Sequence, residues 1–311
     1  MSEMAITTAD LAKHYSEVRA VDGLNLSVPR GSVYGFLGRN GAGKTSTIKL
    51  LLGLTRPTAG SARVLGLDPR RDRVAILERT GYVSENKRLY EWMTPAELLR
   101  FTRSFYPQWS DEAAEKYARR LDVPLKQPFK SLSRGNRTKV CLLLALAQRA
   151  ELLILDEPTS GLDPVIVDEL LRVLAEDHLA EGGTVFLSSH QLSEVEQIAD
   201  WVGIIEQGKL LLEARLEDIK NEFRLITAAG EGLPAFGSPQ VVSSVNAGAF
   251  WKYVVARDAE GFAARLRQQG AAITDVSPLN LRQIFLELVR KEEPCTPGNG
   301  GERAATVSSP I

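Results

Sequence analysis

From the N-terminus to about residue 220, short apolar runs closed by glycine or charged pairs alternate with longer stretches of apolar residues at three- or four-residue spacing. Residues 5 to 28 read as a strand, a polar loop and a second strand, in which Leu24, Leu26 and Val28 alternate with Asn25 and Ser27. Val33, Tyr34, Phe36 and Leu37, bounded by Gly31 and Gly38, predict a buried strand. Ile48, Leu51 and Leu52 then predict a helix that stops at Gly53. A turn at Pro57-Thr58-Ala59-Gly60 precedes a strand around Ala62 to Leu65, and Gly81 to Glu85 is a strand ending on an acid. Thr94, Pro95 and Glu97 form a capping box for a helix through Leu98, Leu99, Phe101 and Phe105 to Pro107. Further helices are expected from Ser110 to Leu121 and from Lys139 to Ala150, so residues 88 to 150 form a helical subdomain. Leu152-Leu153-Ile154-Leu155 is a buried strand closed by Asp156-Glu157. A helix from Val165 to Glu181 follows, then a strand from Thr184 to Leu187. Leu192, Val195, Ile198 and Ala199 give one more amphipathic helix, and Trp201 to Glu206 pairs with Lys209 to Leu212 around Gln207-Gly208. Strand, loop and helix alternate throughout, which predicts an α/β fold with a mostly parallel, doubly wound sheet.

The texture changes near residue 222. Gly230, Gly232, Pro234, Gly237 and Pro239 mark a linker-like loop. Trp251, Tyr253 and Val255 alternate as a strand, Phe262 and Leu266 share a short helix, Ile273 to Val276 is a strand, and Ser277-Pro278 caps a last helix through Val289. The expected division is a main domain over 4–220, a small α+β accessory domain over 222–290, and a Gly-, Pro- and Ser-rich tail over 291–311 that is expected to be disordered.

With 311 residues, 44% hydrophobic and 25% charged, the chain is long enough for one large or two ordinary domains with a real core. A net charge of -1 speaks against a generally basic nucleic-acid binder. Cys141, in an apolar run, and Cys295, in a polar tail, do not read as a disulfide pair and point to a reducing compartment. The longest unbroken apolar run, Val140 to Ala147, is far short of the ~20 residues of a membrane-spanning helix. Nor does the N-terminal stretch read as a secretory signal, so any membrane role is expected to come through a partner.

The strongest chemical signal is Gly38 to Thr45, GRNGAGKT, which fits the phosphate-binding loop G-x-x-x-x-G-K-[ST]. A strand that feeds a glycine loop opening a helix aims backbone N–H groups and the positive helix end at one spot, where a polyphosphate is the natural occupant. Lys44 is placed to reach the β/γ-phosphates and the Thr45 hydroxyl to hold Mg²⁺; the chain is expected to bind a nucleoside triphosphate.

Other stretches gain meaning beside that loop. A buried strand that delivers Asp156 and Glu157 at its C-terminal end is how such folds place a metal-holding acid. Tyr15, just ahead of the loop, can stack on a base or simply pack. Ser131-Leu132-Ser133-Arg134-Gly135-Asn136 opens a helix as a cap or an anion site. His190, one of three histidines, closes a sheet strand, where a functional and a structural reading are balanced.

Together these stretches resemble the ATP-binding subunit of ABC transporters, over roughly residues 4 to 220. The ordered set is the loop GRNGAGKT, the strand-end acid Glu85, the signature-like LSRGN, the strand LLILDE, the Gly-Leu-Asp turn and His190. The segment ending LNLRQIFLELV is similar to the C-terminal extension of bacterial drug- and lipid-type exporter subunits. The resemblance implies an ATPase with ATP and Mg²⁺ as ligands. Tyr15 would stack on adenine, while Gly38, Arg39, Asn40, Gly41, Ala42, Gly43, Lys44, Thr45 and Ser46 form the phosphate loop. Thr45, Asp156 and Glu85 would attend the metal, Glu157 would be the general base, and His190 would hold the γ-phosphate and the attacking water. Asp163 would communicate across a dimer, and Ser133, Arg134, Gly135 and Asn136 would face the ATP of a second ATP-binding subunit. The implied partner is an integral membrane permease, with the chain on the inner face of the cell membrane; the rival is a soluble non-transport ABC-type ATPase acting on ribosomes or DNA. Four positions depart from the family pattern: Glu85 where glutamine is usual, Arg134 and Asn136 within a signature that usually reads LSGGQ, and Arg39 where proline is common. For Arg134, a place near the γ-phosphate and one in solvent are equally open.

Overall fold

The computed structural model describes residues 3–230, 233 and 240–292. It divides into two compact units, 1–212 and 213–311.

The first unit opens with β1 (Met4–Tyr15), β2 (Val18–Leu24) and β3 (Ser27–Pro29), then β4 (Val33–Leu37), α1 (Lys44–Leu51) and β5 (Ala59–Val64). β1, β2, β3 and β5 form an antiparallel sheet of their own, outside the parallel sheet that the strand–helix alternation predicts. The expected single strand through Leu24, Leu26 and Val28 is broken between β2 and β3. At the break the Thr8 hydroxyl donates to Leu24 O (2.8 Å) and accepts from Leu26 N (2.7 Å), standing in for ladder bonds. Ala59 and Gly60, read as turn, already belong to β5.

Next come α2 (Arg73–Glu78), β6 (Thr80–Val83), α3 (Pro95–Arg103), α4 (Asp111–Arg120), α5 (Arg134–Ala147), β7 (Leu152–Asp156), α6 (Pro164–Val173), β8 (Thr184–Ser189), α7 (Leu192–Ile198), β9 (Trp201–Glu206) and β10 (Lys209–Arg215). The central sheet has the order β10-β9-β4-β8-β7-β6, with β9, β4, β8, β7 and β6 mutually parallel. α3 carries the expected capping box, with Thr94 accepting from Glu97 N and Glu97 bound back to Thr94 N. α5 starts at Arg134, five residues earlier than its apolar pattern, because Ser133 caps it by accepting from Asn136 N at 3.2 Å. α6 stops at Val173 and continues as a π-helical stretch, Leu174–Leu179, where one uniform helix was expected. There His178 turns inward, its Nε2 3.3 Å from Thr184 O, against Gly183, whose missing Cβ would stand 2.2 Å from that nitrogen.

The core of this unit runs through the sheet. Phe186 on β8 stacks on Tyr34 (centroids 5.5 Å) and leans on Phe36 (5.2 Å), all fully buried. Tyr34 fits because Gly203 on β9 leaves room for its hydroxyl, 2.2 Å from where a Cβ would be. Below the strands, Glu151 accepts two bonds from Arg79 (2.6 and 2.8 Å) and one from Arg30 (3.1 Å), and this pairing holds its carboxyl below the usual range.

The second unit takes in α8 (Leu216–Glu222), β11 (Phe223–Ala229), β12 (Val241–Asn246), β13 (Trp251–Ala256), α9 (Ala259–Gln268), β14 (Ala272–Pro278) and α10 (Leu281–Glu292). Its antiparallel sheet, β12-β13-β11-β14, buries Ile226, Tyr253 and Val255 with Phe262 and Leu266 of α9. Ser277-Pro278, read as a helix cap, ends β14 instead. Asn280 caps α10, exchanging bonds with Gln283 at 2.9 and 3.0 Å. Most of the linker read around Gly232, Pro234, Gly237 and Pro239, Cys295, and the tail expected disordered lie outside the described residues, except that α10 takes in residues 291 and 292.

Phe186→Ala is expected to lower stability by about 3–5 kcal/mol, because a stacked ring is lost and a cavity remains. Denaturant unfolding of the first unit checks this; a loss below about 1 kcal/mol would place the core elsewhere.

Candidate functional site

Parallel pairing aligns Leu37 with Ser189 and Asp156 with Ser188, so the C-terminal ends of β4, β8 and β7 lie side by side. The loop Gly38–Gly43 leaves β4 there and is tied to β8 by Gly38 N donating to Ser189 O (3.4 Å). Two of its glycines are dictated by space. At Gly43 φ is +112° and a Cβ would stand 2.3 Å from Ala20 O; at Gly38 it would stand 2.5 Å from Ile205 O. Gly43 leads into α1, whose first turn has neither a side-chain cap nor an acid, so its leading N–H groups face outward for an anion. Within the loop Arg39, Asn40 and Gly41 are exposed, Ala42 is buried and donates its N–H to Arg39 O (3.1 Å), and Thr45 and Ser46 sit half-buried in the first turn. The Thr47 hydroxyl is spent on Gly43 O (3.0 Å).

Lys44 is buried, and its ammonium donates to Gly38 O (2.7 Å) and Arg39 O (3.2 Å). It also lies 3.0 Å from Glu157 Oε1, an ion pair whose alignment falls short of a hydrogen bond. Glu157 follows β7 in the left-handed region (φ 47°), costly for a side-chain-bearing residue and found where surroundings hold it. Those surroundings are Ser188, which accepts from Glu157 N at its hydroxyl (3.1 Å) and carbonyl (3.2 Å) and donates to Asp156 Oδ1 (2.7 Å). So turned, Glu157 reaches His190, with Nδ1 2.7 Å from Oε2. A carboxylate only accepts, so Nδ1 carries a proton in this contact; Nε2 faces away from Glu157, and a proton there as well makes it a donor. The result is a chain of contacts, Lys44–Glu157–His190, with Asp156 behind it.

The remaining candidates stand on other elements. Tyr15 ends β1, exposed, with Lys13 Nζ 4.9 Å from its ring centroid. Glu85 lies beyond β6 rather than at its end; burial first, then the charges of Asp156 and Glu85, push the nearby Tyr82 phenol up to about 12. Ser133 to Asn136 form the cap and first turn of α5, which packs on α6: a Cβ on Gly135 would stand 2.5 Å from Ile166 Cδ1. Arg134 is exposed in the first turn of α5. Its guanidinium lies across Gly161, with Nη1 2.4 Å from where that glycine's Cβ would be. Asp163 caps α6, accepting from Val165 N at 2.9 Å. Burial raises the Cys141 thiol to about 12, so it is no nucleophile.

Three residues of the site had not stood out in the sequence: Ser188, Thr159 and Glu194. Ser188 followed an apolar run as an ordinary polar terminus. Glu194 sits next to Val195, the buried apolar residue of α7, which was its only signal. A separate cavity of about 200 Å³, lined by Arg30, Tyr117, Arg149, His178, Glu181 and Thr184 among others, opens at the other end of β7 and β8 and contains none of these groups.

Comparison with known proteins agrees with this geometry. Residues 21–160 match the family model described as ABC transporter. The chain is 39% identical over 221 residues to the bacitracin transport ATP-binding protein BcrA of Bacillus licheniformis, covering 70% of this chain and 72% of that one. It is 35% identical over 226 residues to the daunorubicin/doxorubicin resistance ATP-binding protein DrrA of Streptomyces peucetius, covering 70% and 67%. A solved structure titled as the ATP binding subunit of an ABC transporter superposes with a TM-score of 0.64 at 29% identity, over 70% of this chain and 92% of that one.

Lys44→Ala is expected to abolish tight nucleotide binding by removing the loop's buried cation. Gly43→Ala should do the same by steric conflict with Ala20 O. Titration with a fluorescent ATP analogue reads both; affinity within about tenfold of wild type, some 1.4 kcal/mol, would contradict the placement of the phosphates.

Proposed function

The chain belongs to the ABC transporter family, among its ATP-binding and ATP-hydrolysing subunits, and on that footing we propose that it powers export of a substrate through a separate membrane-embedded permease. The observation that carries the chemistry is Glu157 held between Lys44 and His190 at the strand ends beside the phosphate loop. N–H groups from Asn40 to Ser46 wrap the triphosphate, Lys44 meets its β/γ-phosphates, and Tyr15 stacks on adenine. A phosphate oxygen that reaches Lys44 replaces Glu157 Oε1 as its partner and releases the carboxylate. Glu157 is then the general base that takes the proton of the attacking water, and His190, oriented through Nδ1, offers its other nitrogen to the γ-phosphate.

The donor chemistry suits Mg²⁺. The Thr45 hydroxyl and the Asp156 carboxylate, with Glu85 near, are hard oxygens, and Mg²⁺ takes few protein oxygens and fills its shell with phosphate and water. Among the described residues no group of three or more His, Cys, Asp or Glu could hold a metal alone. When bound, the ion neutralises developing phosphate charge.

The ATPase domain is assigned to 4–220 with its helical subdomain at about 88–150, and 222–290 to an accessory domain that carries no candidate for the chemistry. The similarity to BcrA runs over 221 residues, close to the length proposed for the ATPase domain, and the division between the two compact units falls near its end, at 212/213. Ser133, Arg134, Gly135 and Asn136 face the ATP of a second ATP-binding subunit, with Asp163 on the same surface.

Among the described residues no helix is long and apolar enough to cross a membrane, so the proposed place at the inner face depends on the permease. A surface suited to it lies on the helical subdomain. Tyr90, Trp92, Phe101 and Phe105 are exposed and in ring-to-ring contact at 5.1 to 5.3 Å, with Trp92 69% accessible. Contiguous exposed aromatics mark protein interfaces more often than plain surface.

Purification of the tagged full chain from its native membranes is expected to bring down a multi-span membrane protein. Trp92→Ser with Phe105→Ser should lose most of it while ATP binding stays intact. Recovery of ribosomes or DNA in its place would reject the exporter reading.

A further inference from the structure

Glu194 is a buried acid near the site that the chemistry above does not use. It is 4% exposed on α7, and a single oxygen, Oε2, accepts from the Thr159 hydroxyl (2.5 Å) and the Ser189 hydroxyl (3.1 Å). Oε1 is buried and has no hydrogen-bond partner among the described residues. Burial raises the carboxyl's pKa against the lowering effect of the two hydroxyls, and the charge of Glu157 raises it further. A half-satisfied buried carboxyl is an expensive choice for a helix that could pack with an apolar side chain.

Its two partners show what it joins. Thr159 stands two residues after Glu157, in the turn that leaves β7, and is itself 1% exposed. Ser189 stands one residue before His190, at the end of β8; its hydroxyl accepts from Gln191 N (2.9 Å), and its carbonyl receives the phosphate loop's Gly38 N. Glu194 therefore bridges the segment that bears the base and the segment that bears the histidine, whose side chains meet at 2.7 Å. Glu157 needs such support, since its left-handed backbone relaxes unless neighbours on both sides fix it.

We propose that Glu194 is a positioning residue for ATP hydrolysis: through Thr159 and Ser189 it latches the turn after Glu157 to the strand end before His190 and so sets the geometry of that pair. This rests on the roles proposed for Glu157 and His190. Without the latch the turn relaxes and the base and histidine separate, while the phosphate loop, held through Gly38 and Gly43, still binds nucleotide. Turnover then suffers and nucleotide affinity does not.

The test uses the full chain, with E194L (similar volume, no acceptor), E194Q (acceptor kept), T159V and E157A, each checked for folding by circular dichroism. Imidazole ¹H–¹⁵N spectra resolve the ring of His190 among only three histidines. E157A gives the signal of the unpaired ring. E194L and T159V should shift the His190 signal towards it and lower kcat about 10- to 100-fold with KM for ATP little changed, as a misplaced catalytic group does. E194Q should stay near wild type, and the E194L/T159V double variant should lose no more than E194L alone. A folded E194L with a wild-type His190 signal and wild-type kcat would overturn the latch, as would losses that multiply in the double variant. If E157A itself leaves the His190 signal unchanged, the Glu157–His190 pair fails, and the latch with it. If E157A moves the signal and E194L does not, the latch alone fails.

Discussion

The ends of three parallel strands, β4, β8 and β7, lie level at one edge of the sheet, and the site depends on that alignment. Each strand contributes something the others cannot reach: β4 the phosphate loop, β7 the carboxylates of Asp156 and Glu157, β8 the serines that bind both neighbours and the histidine beyond. Ser188 and Ser189 sit between the other two and hydrogen-bond to each side. Moving one strand by a single residue would put Glu157 on the wrong side of the turn and separate it from Lys44 and His190 together. The stack of Phe186 on Tyr34 and its contact with Phe36 join β8 to β4 just below, so core packing and site geometry share the same strands.

The charges at this edge are held in a dry setting. Lys44 and Glu157 are both nearly inaccessible, and each would be costly to bury alone. Two loop carbonyls share the ammonium and His190 shares the carboxylate, so neither ion relies on a single partner. Glu157 thus has one oxygen against the residue that meets phosphate and one against the histidine. In the proposed mechanism, nucleotide arrival and base orientation are linked through that one carboxylate.

Much of this was legible in the chain because it is local. The apolar run Val33–Leu37, the glycine loop and the helix behind it are adjacent in sequence, as are Leu152–Leu155 and the two acids. What was not legible depends on distant partners. The alternation at Leu24 to Val28 marks half-buried positions but not the break, which the Thr8 hydroxyl makes from β1. Gly135 and Asn136 are weak helix formers, so the pattern put the start of α5 at Lys139; the Ser133 cap and packing of Ile166 against Gly135 start it earlier. Arg134 could not be placed without Gly161, whose missing side chain makes room for it. Glu194 is an acid on an amphipathic helix, which periodicity assigns to solvent; its burial follows from Thr159, 35 positions earlier.

Glu157→Gln tests the central claim most directly, because it preserves shape and a hydrogen-bond acceptor while removing the ability to take a proton. Loaded with radiolabelled ATP in a single-turnover assay, the variant is expected to bind nucleotide and keep it intact, with hydrolysis slowed about 10²–10⁴-fold. Hydrolysis at close to the wild-type rate would contradict it and move the general base away from the Lys44–Glu157–His190 chain.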